Sequence, residues 1–192
     1  MTQINKDTFI VSDTHFSHAN ILTFKREDGQ MVRPGFSSYE EMDEYIVNKW
    51  NSVVKPDDKV YHLGDVVMKK RYIDIVKRLN GKKRLIMGNH DIFPFGFYQD
   101  YFEEVYAMRF LPQEGIMMTH IPLNLQCIKK YWINVHGHIH EKIIGQDTQM
   151  VLGNIEDQHP YYYNVCVEHH DYTPVSMDVI RDKIKNLKDI SI

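Results

Sequence analysis

Short apolar runs alternate with amphipathic stretches along the first 140 residues, and each apolar run stops at a polar cluster. Thr8-Phe9-Ile10-Val11-Ser12 is β-branched and aromatic, which predicts a buried strand ending at Asp13. The arrangement recurs four times. Residues 59–63 lead into Gly64-Asp65, residues 84–87 into Gly88-Asn89-His90-Asp91, residues 115–118 into Thr119-His120, and residues 132–135 into His136-Gly137-His138-Ile139-His140. Between the early runs, residues 38–51 place Met42, Tyr45, Ile46 and Trp50 at helical spacing behind Ser37 or Ser38 as N-cap. Residues 70–79 repeat the pattern with Tyr72, Ile73, Val76 and Leu79, and Asn80-Gly81 supplies the stop. A further strand is predicted over residues 161–168 and a closing helix over residues 176–187. Strand and helix alternation predicts an α/β sheet, whose working residues gather beyond the carboxyl ends of the strands.

The connecting segments complete this picture. Residues 19–37 contain Asp28-Gly29 and Pro34-Gly35, and residues 93–101 hold Pro94, Gly96 and several aromatics, so both predict loops bordering a substrate cleft. A chain of 192 residues with 43% hydrophobic content suits a single domain over residues 1–192. The pattern contains no repeat and no interdomain linker. A formal net charge of -3 offers no overall basic field for a long polyanion. No apolar run is long enough to span a membrane, no signal-like apolar segment follows Met1, and two cysteines do not make a disulfide framework; a cytoplasmic protein is expected.

Histidine is the unusual residue, at 11 in the chain, and several lie beside Asp, Asn or Gly. Asp13 and His15 stand two residues apart at a strand end, so both can reach over one sheet edge toward one metal ion. Gly64 lets backbone pass close to a ligand, and the two oxygens of Asp65 can bridge two cations. In the third cluster the Asn89 amide can ligate, the His90 imidazole can move a proton, and the Asp91 carboxylate can fix that imidazole's tautomer. His138 and His140 alternate along an extended segment and share a face. His136 and His62 read as structural. His18, Asn20 and Arg33 follow the first cluster and are candidates to touch substrate, since an arginine forks onto phosphate oxygens. Lys69, Lys70 and Arg71 could add a local basic rim beside Asp65.

The ordered set Asp13-x-His15, Gly64-Asp65, Gly88-Asn89-His90-Asp91, Thr119-His120 and Gly137-His138-Ile139-His140 resembles the calcineurin-like metallophosphoesterase superfamily. The string Ser12 to Asn20, with Arg33-Pro34 and Glu41-Met42, is similar to its small bacterial and phage branch. The resemblance implies two packed mixed β-sheets flanked by helices, a four-layer α/β/β/α sandwich with a dinuclear metal site at the strand C-terminal ends. It implies that Asp13, His15, Asp65 and His140 hold one metal, and that Asp65, Asn89, His120 and His138 hold the other. A hydroxide bridging the metals would attack the phosphate ester, with His90 as proton donor oriented by Asp91. A mixed oxygen and nitrogen donor set without thiolate favours manganese, with iron, nickel or zinc as alternatives.

The substrate expected on this basis is a small nucleotide-like or other phosphorylated metabolite. A nuclease is an alternative, which the acidic balance disfavours because phosphate neutralisation dominates nucleic-acid affinity. Protein phosphatase chemistry is disfavoured by Val66-Val67-Met68 after Gly64-Asp65, where that branch carries an arginine. A metal-binding scaffold without turnover is the reading outside the enzymes. The pattern is silent on oligomeric state.

Overall fold

The computed structural model describes residues 7–130 and 132–189. Its first sheet has the order β11 (Val175–Ser176), β1 (Thr8–Val11), β2 (Lys59–His62), β3 (Lys82–Ile86) and β4 (Glu104–Tyr106). The last four are mutually parallel, and β11 closes the edge antiparallel to β1, pairing Phe9 with Ser176. The second sheet has the order β10 (Tyr162–Asn164), β7 (Ile133–His136), β6 (Ile116–Met118) and β5 (Arg109–Leu111), parallel except at β5. A hairpin of β8 (Lys142–Ile144) and β9 (Met150–Leu152) stands apart.

Period-two alternation in the first sheet sorts side chains between two cores. Phe9, Val11, Val60 and Leu85 face outward onto Met42, Ile46 and Trp50 of helix α1 (Tyr39–Val53) and onto Ile73 and Val76. Ile10, Tyr61, Leu63 and Ile86 face inward and meet Ile116, Met118, Ile133 and Val135 of the second sheet. Helix α3 (Met177–Asp189) adds Met177, Ile180 and Ile184 to that inner core. The result is the expected α/β assembly of packed sheets flanked by helices. Within β7, the buried Asn134 carboxamide accepts the Leu123 amide and donates to the Met117 carbonyl, fastening the segment that carries the turn Leu125–Cys127.

Three local expectations change. The segment Lys70–Arg78 winds as a 3-10 helix rather than an α-helix. Ile73, Val76 and Leu79, all buried, recur every three residues, and such positions eclipse on one face only at three residues per turn. The strand expected over residues 161–168 stops at Asn164, whose side chain turns back to donate to the carbonyls of His140 and Lys142 and to accept the Cys166 amide. The expected loop over residues 93–101 contains a one-turn helix, α2 (Phe95–Tyr98), seated on the buried Tyr98. Ser38 caps α1 by accepting the Glu41 amide, while the Glu41 carboxylate accepts the Ser37 amide, a reciprocal arrangement that settles the cap between the two serines.

Candidate metal centre

The five strand-end clusters meet at one rim of the two sheets. Pairing between β1 and β2 continues past both strands, with the Asp13 and His15 amides donating to the carbonyls of Gly64 and Asp65 at 3.0 Å each. On the second sheet the Gly137 amide donates to the His120 carbonyl at 2.8 Å, holding the ends of β6 and β7 together. Gly88 and Gly137 are required by proximity: a Cβ on Gly88 would overlap the Asp65 carboxylate, and one on Gly137 would overlap Ser12 Oγ and the Asp13 carboxylate.

Backbone conformation marks the same place. Nine non-glycine residues among those described have left-handed φ, and five are Asp13 (59°), His15 (47°), Asp65 (57°), His138 (72°) and His140 (49°). Each such residue costs on the order of 1 kcal/mol or more and persists only where its surroundings fix it. The turns trade that strain for side chains aimed into a common space.

Two donor groups result, one of Asp13, His15 and His140 and one of Asp65, His120 and His138, each with its atoms within 4.8 Å of one another. One oxygen of Asp65 lies between them, 3.5 Å from His15 Nε2 and 3.4 Å from His120 Nε2. His15 Nε2 is 3.6 Å from Asp13 Oδ1, and neither atom has a hydrogen-bond partner although both are buried. Two donors bound tetrahedrally to one ion at about 2.0–2.1 Å stand about 3.3–3.4 Å apart, so the spacing suits coordination better than hydrogen bonding. The Asn89 side-chain oxygen joins the second group, 2.8 Å from His120 Nε2.

The histidine tautomers are set from behind. His120 Nδ1 donates to the Leu63 carbonyl at 2.7 Å, and His140 Nδ1 donates to Glu168 Oε1 at 2.9 Å. Each ring thereby turns Nε2 toward the centre, where it can give its lone pair to a cation once its proton has left. His62, buried beneath, has its own resolved pattern. The Thr14 hydroxyl donates to the Val66 carbonyl, so it accepts from His62 Nε2, and His62 Nδ1 accepts the Gly64 amide. Burial holds this ring neutral, with its pKa near 3, and His136, whose Nδ1 is 2.9 Å from the Gly137 carbonyl, is held near 4 by burial.

Electrostatics in the centre favour charge on the acids. Burial opposes ionisation of Asp13, but the adjoining His15 ring and the fields of His140 and His120 hold its carboxyl well below the usual range. Burial likewise opposes ionisation of Asp65, and the hydrogen bond and charge of His120 outweigh it. Burial alone would depress His140, yet the Glu168 carboxylate and Asp13 raise it to about 9. A divalent cation held here would take the place of protons on these rings.

Several expected residues have other work. Arg33, expected at the substrate, is buried; its guanidinium donates to the carbonyls of Asp13 and Thr14 and to Glu168 Oε1, leaving no fork for phosphate. Asp91, expected to orient His90, instead accepts the backbone amides of Asp65, Val66 and Gly88 at 2.8–3.1 Å, tying the turn after β2 to the turn after β3. His90 is exposed at the mouth, its ring 5.4 Å from that of His15, and its amide donates to Asp65 Oδ1. His18 is half-buried beside His15 at 5.5 Å, whereas Asn20 sits exposed in the 3-10 turn Ala19–Thr23.

Glu168 and Cys166 were not anticipated. Glu168 is buried where the fields of Arg33 and His140 overcome desolvation and hold its carboxyl near 2, and the Cys166 thiol donates to Asp13 Oδ2 at 3.2 Å. The signal for Glu168 was present: Glu168-His169-His170 is a sixth acid and histidine cluster at the end of an expected strand.

Comparison with known proteins agrees with this geometry. The chain matches the model of the calcineurin-like phosphoesterase family over residues 8–173. It is 33% identical over 185 residues to an uncharacterized protein of Methanocaldococcus jannaschii, covering 90% of this chain and 88% of that one. The Gene 66 protein of Mycobacterium phage L5 is 32% identical over 90 residues, covering 44% of this chain and 40% of that one. A crystal structure of a protein of unknown function from Aquifex aeolicus superposes with a TM-score of 0.66 at 28% identity, over 93% of this chain and 99% of that chain. The chain therefore belongs to the calcineurin-like phosphoesterases, a family that hydrolyses phosphate esters with the help of divalent metal ions.

Proposed function

We propose that this chain hydrolyses a small nucleotide-like or otherwise phosphorylated metabolite in the cytoplasm, using two divalent ions, manganese first and iron, nickel or zinc as alternatives. Asp13, His15 and His140 would hold one ion, Asn89, His120 and His138 the other, and Asp65 both. The observation that carries this reading is the single Asp65 oxygen placed 3.5 Å and 3.4 Å from a histidine nitrogen of each group.

Bound ions supply a water of lowered pKa and positive charge against the charge that grows on phosphate in the transition state. The protein's own contribution is placement. His120 and His140 would give their Nε2 lone pairs to the ions, with their other ring protons held by the Leu63 carbonyl and Glu168. His90, exposed at the mouth next to His15, delivers a proton to the departing oxygen. Asp91 holds the two turns that carry Asp65 and His90 in register.

Purified protein reconstituted with manganese should retain about two ions per chain and hydrolyse bis(p-nitrophenyl) phosphate. Asp65→Asn should abolish turnover and lower the metal content. His90→Ala should keep the metal and lose about 10²-fold or more in kcat. Full activity in Asp65→Asn would sink the reading.

A further inference from the structure

Two clefts open beside the centre, and their linings share no residue. The first, about 440 Å³, has His138 and His140 in its wall and is floored by Phe24, Val32, Ile139 and Met150. The second, about 360 Å³, has Asn89 and His120 in its wall and is lined by Met87, Met108, Ile121 and Leu123. Each cleft therefore borders donor atoms of the centre while presenting apolar surface beyond them.

The apolar lining is exposed in an otherwise well-sorted molecule. Nine large hydrophobic side chains are exposed among the described residues, and four of them line these two clefts: Phe24 (48%), Met108 (49%), Ile121 (52%) and Met150 (52%). Large apolar groups left in water beside a polar centre mark surface kept for a ligand. The second cleft has no lysine, arginine, aspartate or glutamate in its lining, so it offers nothing to a second phosphate. Beyond the histidines of the centre, charge in the first is limited to Lys25, Glu141 and Lys142, and Lys142 is already paired with Glu27 at 2.6 Å.

We propose, building on the phosphoesterase reading, that the substrate is a phosphodiester carrying two uncharged, largely apolar or aromatic substituents, one seated against Phe24 and the other against Ile121. A monoester has one substituent and would leave one cleft empty. A polynucleotide that ran through the second cleft would carry the charge of its next phosphate into an apolar slot, with no lysine or arginine there to offset the desolvation cost. The reaction is plain hydrolysis: water adds to phosphorus, one phosphorus–oxygen ester bond breaks, and the departing oxygen takes a proton. The products are a monoester and an alcohol or phenol.

The test compares bis(p-nitrophenyl) phosphate with methyl p-nitrophenyl phosphate, which lacks the second aromatic group, in wild type and in Phe24→Ala/Ile121→Ala. Both residues are half-exposed and neither is a proposed metal donor or proton donor. Intrinsic reactivity cancels when the ratio of kcat/KM for the two esters is compared between proteins. That ratio should fall about tenfold in the double variant, the loss expected for uncovering one aromatic contact. A binding arm runs without turnover: diphenyl phosphate should bind the manganese-loaded protein at least about tenfold more weakly after the double substitution, and dimethyl phosphate should not change. An unaltered ratio, or unaltered diphenyl phosphate binding, overturns the assignment of the clefts. Wild type inactive on both esters, yet binding diphenyl phosphate in the manner described, would instead overturn the phosphoesterase reading and leave the clefts assigned.

Discussion

Glu168 shows how much one side chain behind a centre can decide. Its Oε1 receives His140 Nδ1, Arg33 Nε and the Arg33 terminal nitrogen, and Arg33 in turn grips the backbone of Asp13 and Thr14. One carboxylate thereby sets the tautomer of one donor and, through Arg33, the backbone of another. Glu168→Gln should weaken metal binding at the Asp13 side by about 10–100-fold, read by titration with manganese, while Glu168→Asp recovers part of it. Equal loss at both positions would point to general unfolding instead. The seven proposed metal donors were legible in the chain because each follows a short apolar run, and a strand end fixes where its next residues go. Arg33 was not legible. It lies in a long loop whose path follows from burial against Glu168, a partner 135 positions away.

Elements acquire roles their own pattern does not announce. Helix α1 reads as a plain amphipathic helix, yet its Asp43 carboxylate, buried, accepts the amide of Ser17, a residue at φ 64° in the turn after β1. Burial pushes Asp43 up to about 7 despite those hydrogen bonds. The unfolded chain releases this proton near pH 4, so the sign is unfavourable: folded stability falls as pH rises from about 4 to about 7 and is level above. Asp43→Asn keeps an acceptor for Ser17 without the charge. It should gain roughly 1–2 kcal/mol on wild type between pH 4 and pH 8 in metal-free urea titrations, less than the full shift implies because part of the solvation remains. A difference that does not vary with pH would assign Asp43 a purely geometric role. The three-residue spacing of Ile73, Val76 and Leu79 was equally present in the chain, and it distinguishes a 3-10 turn from an α-helix only when the neighbouring apolar positions are weighed. Short edge strands such as β4, β9 and β11, of two or three residues, carry too little alternation to be read in advance.

Across the whole molecule, each donor group draws on both sheets. Asp13 and His15 follow β1 while His140 follows β7; Asp65 follows β2 while His120 and His138 follow β6 and β7. Ions held there would fasten one sheet to the other, and mass action sets the gain at about 2.7 kcal/mol for an ion at a hundred times its dissociation constant. For a chain of this length that is roughly 5–10 °C in Tm per ion. Chelation should lower the melting temperature accordingly, and a Tm indifferent to chelator would mean that the sheets are not bridged. This arrangement also orders the protein's maturation. His140 cannot approach Asp13, nor His120 approach Asp65, until Ile10, Leu63 and Ile86 have closed on Ile116, Ile133 and Val135. On the proposed reading, a newly made chain would close its oily interior before its cations could be gathered, and its activity would follow the supply of metal.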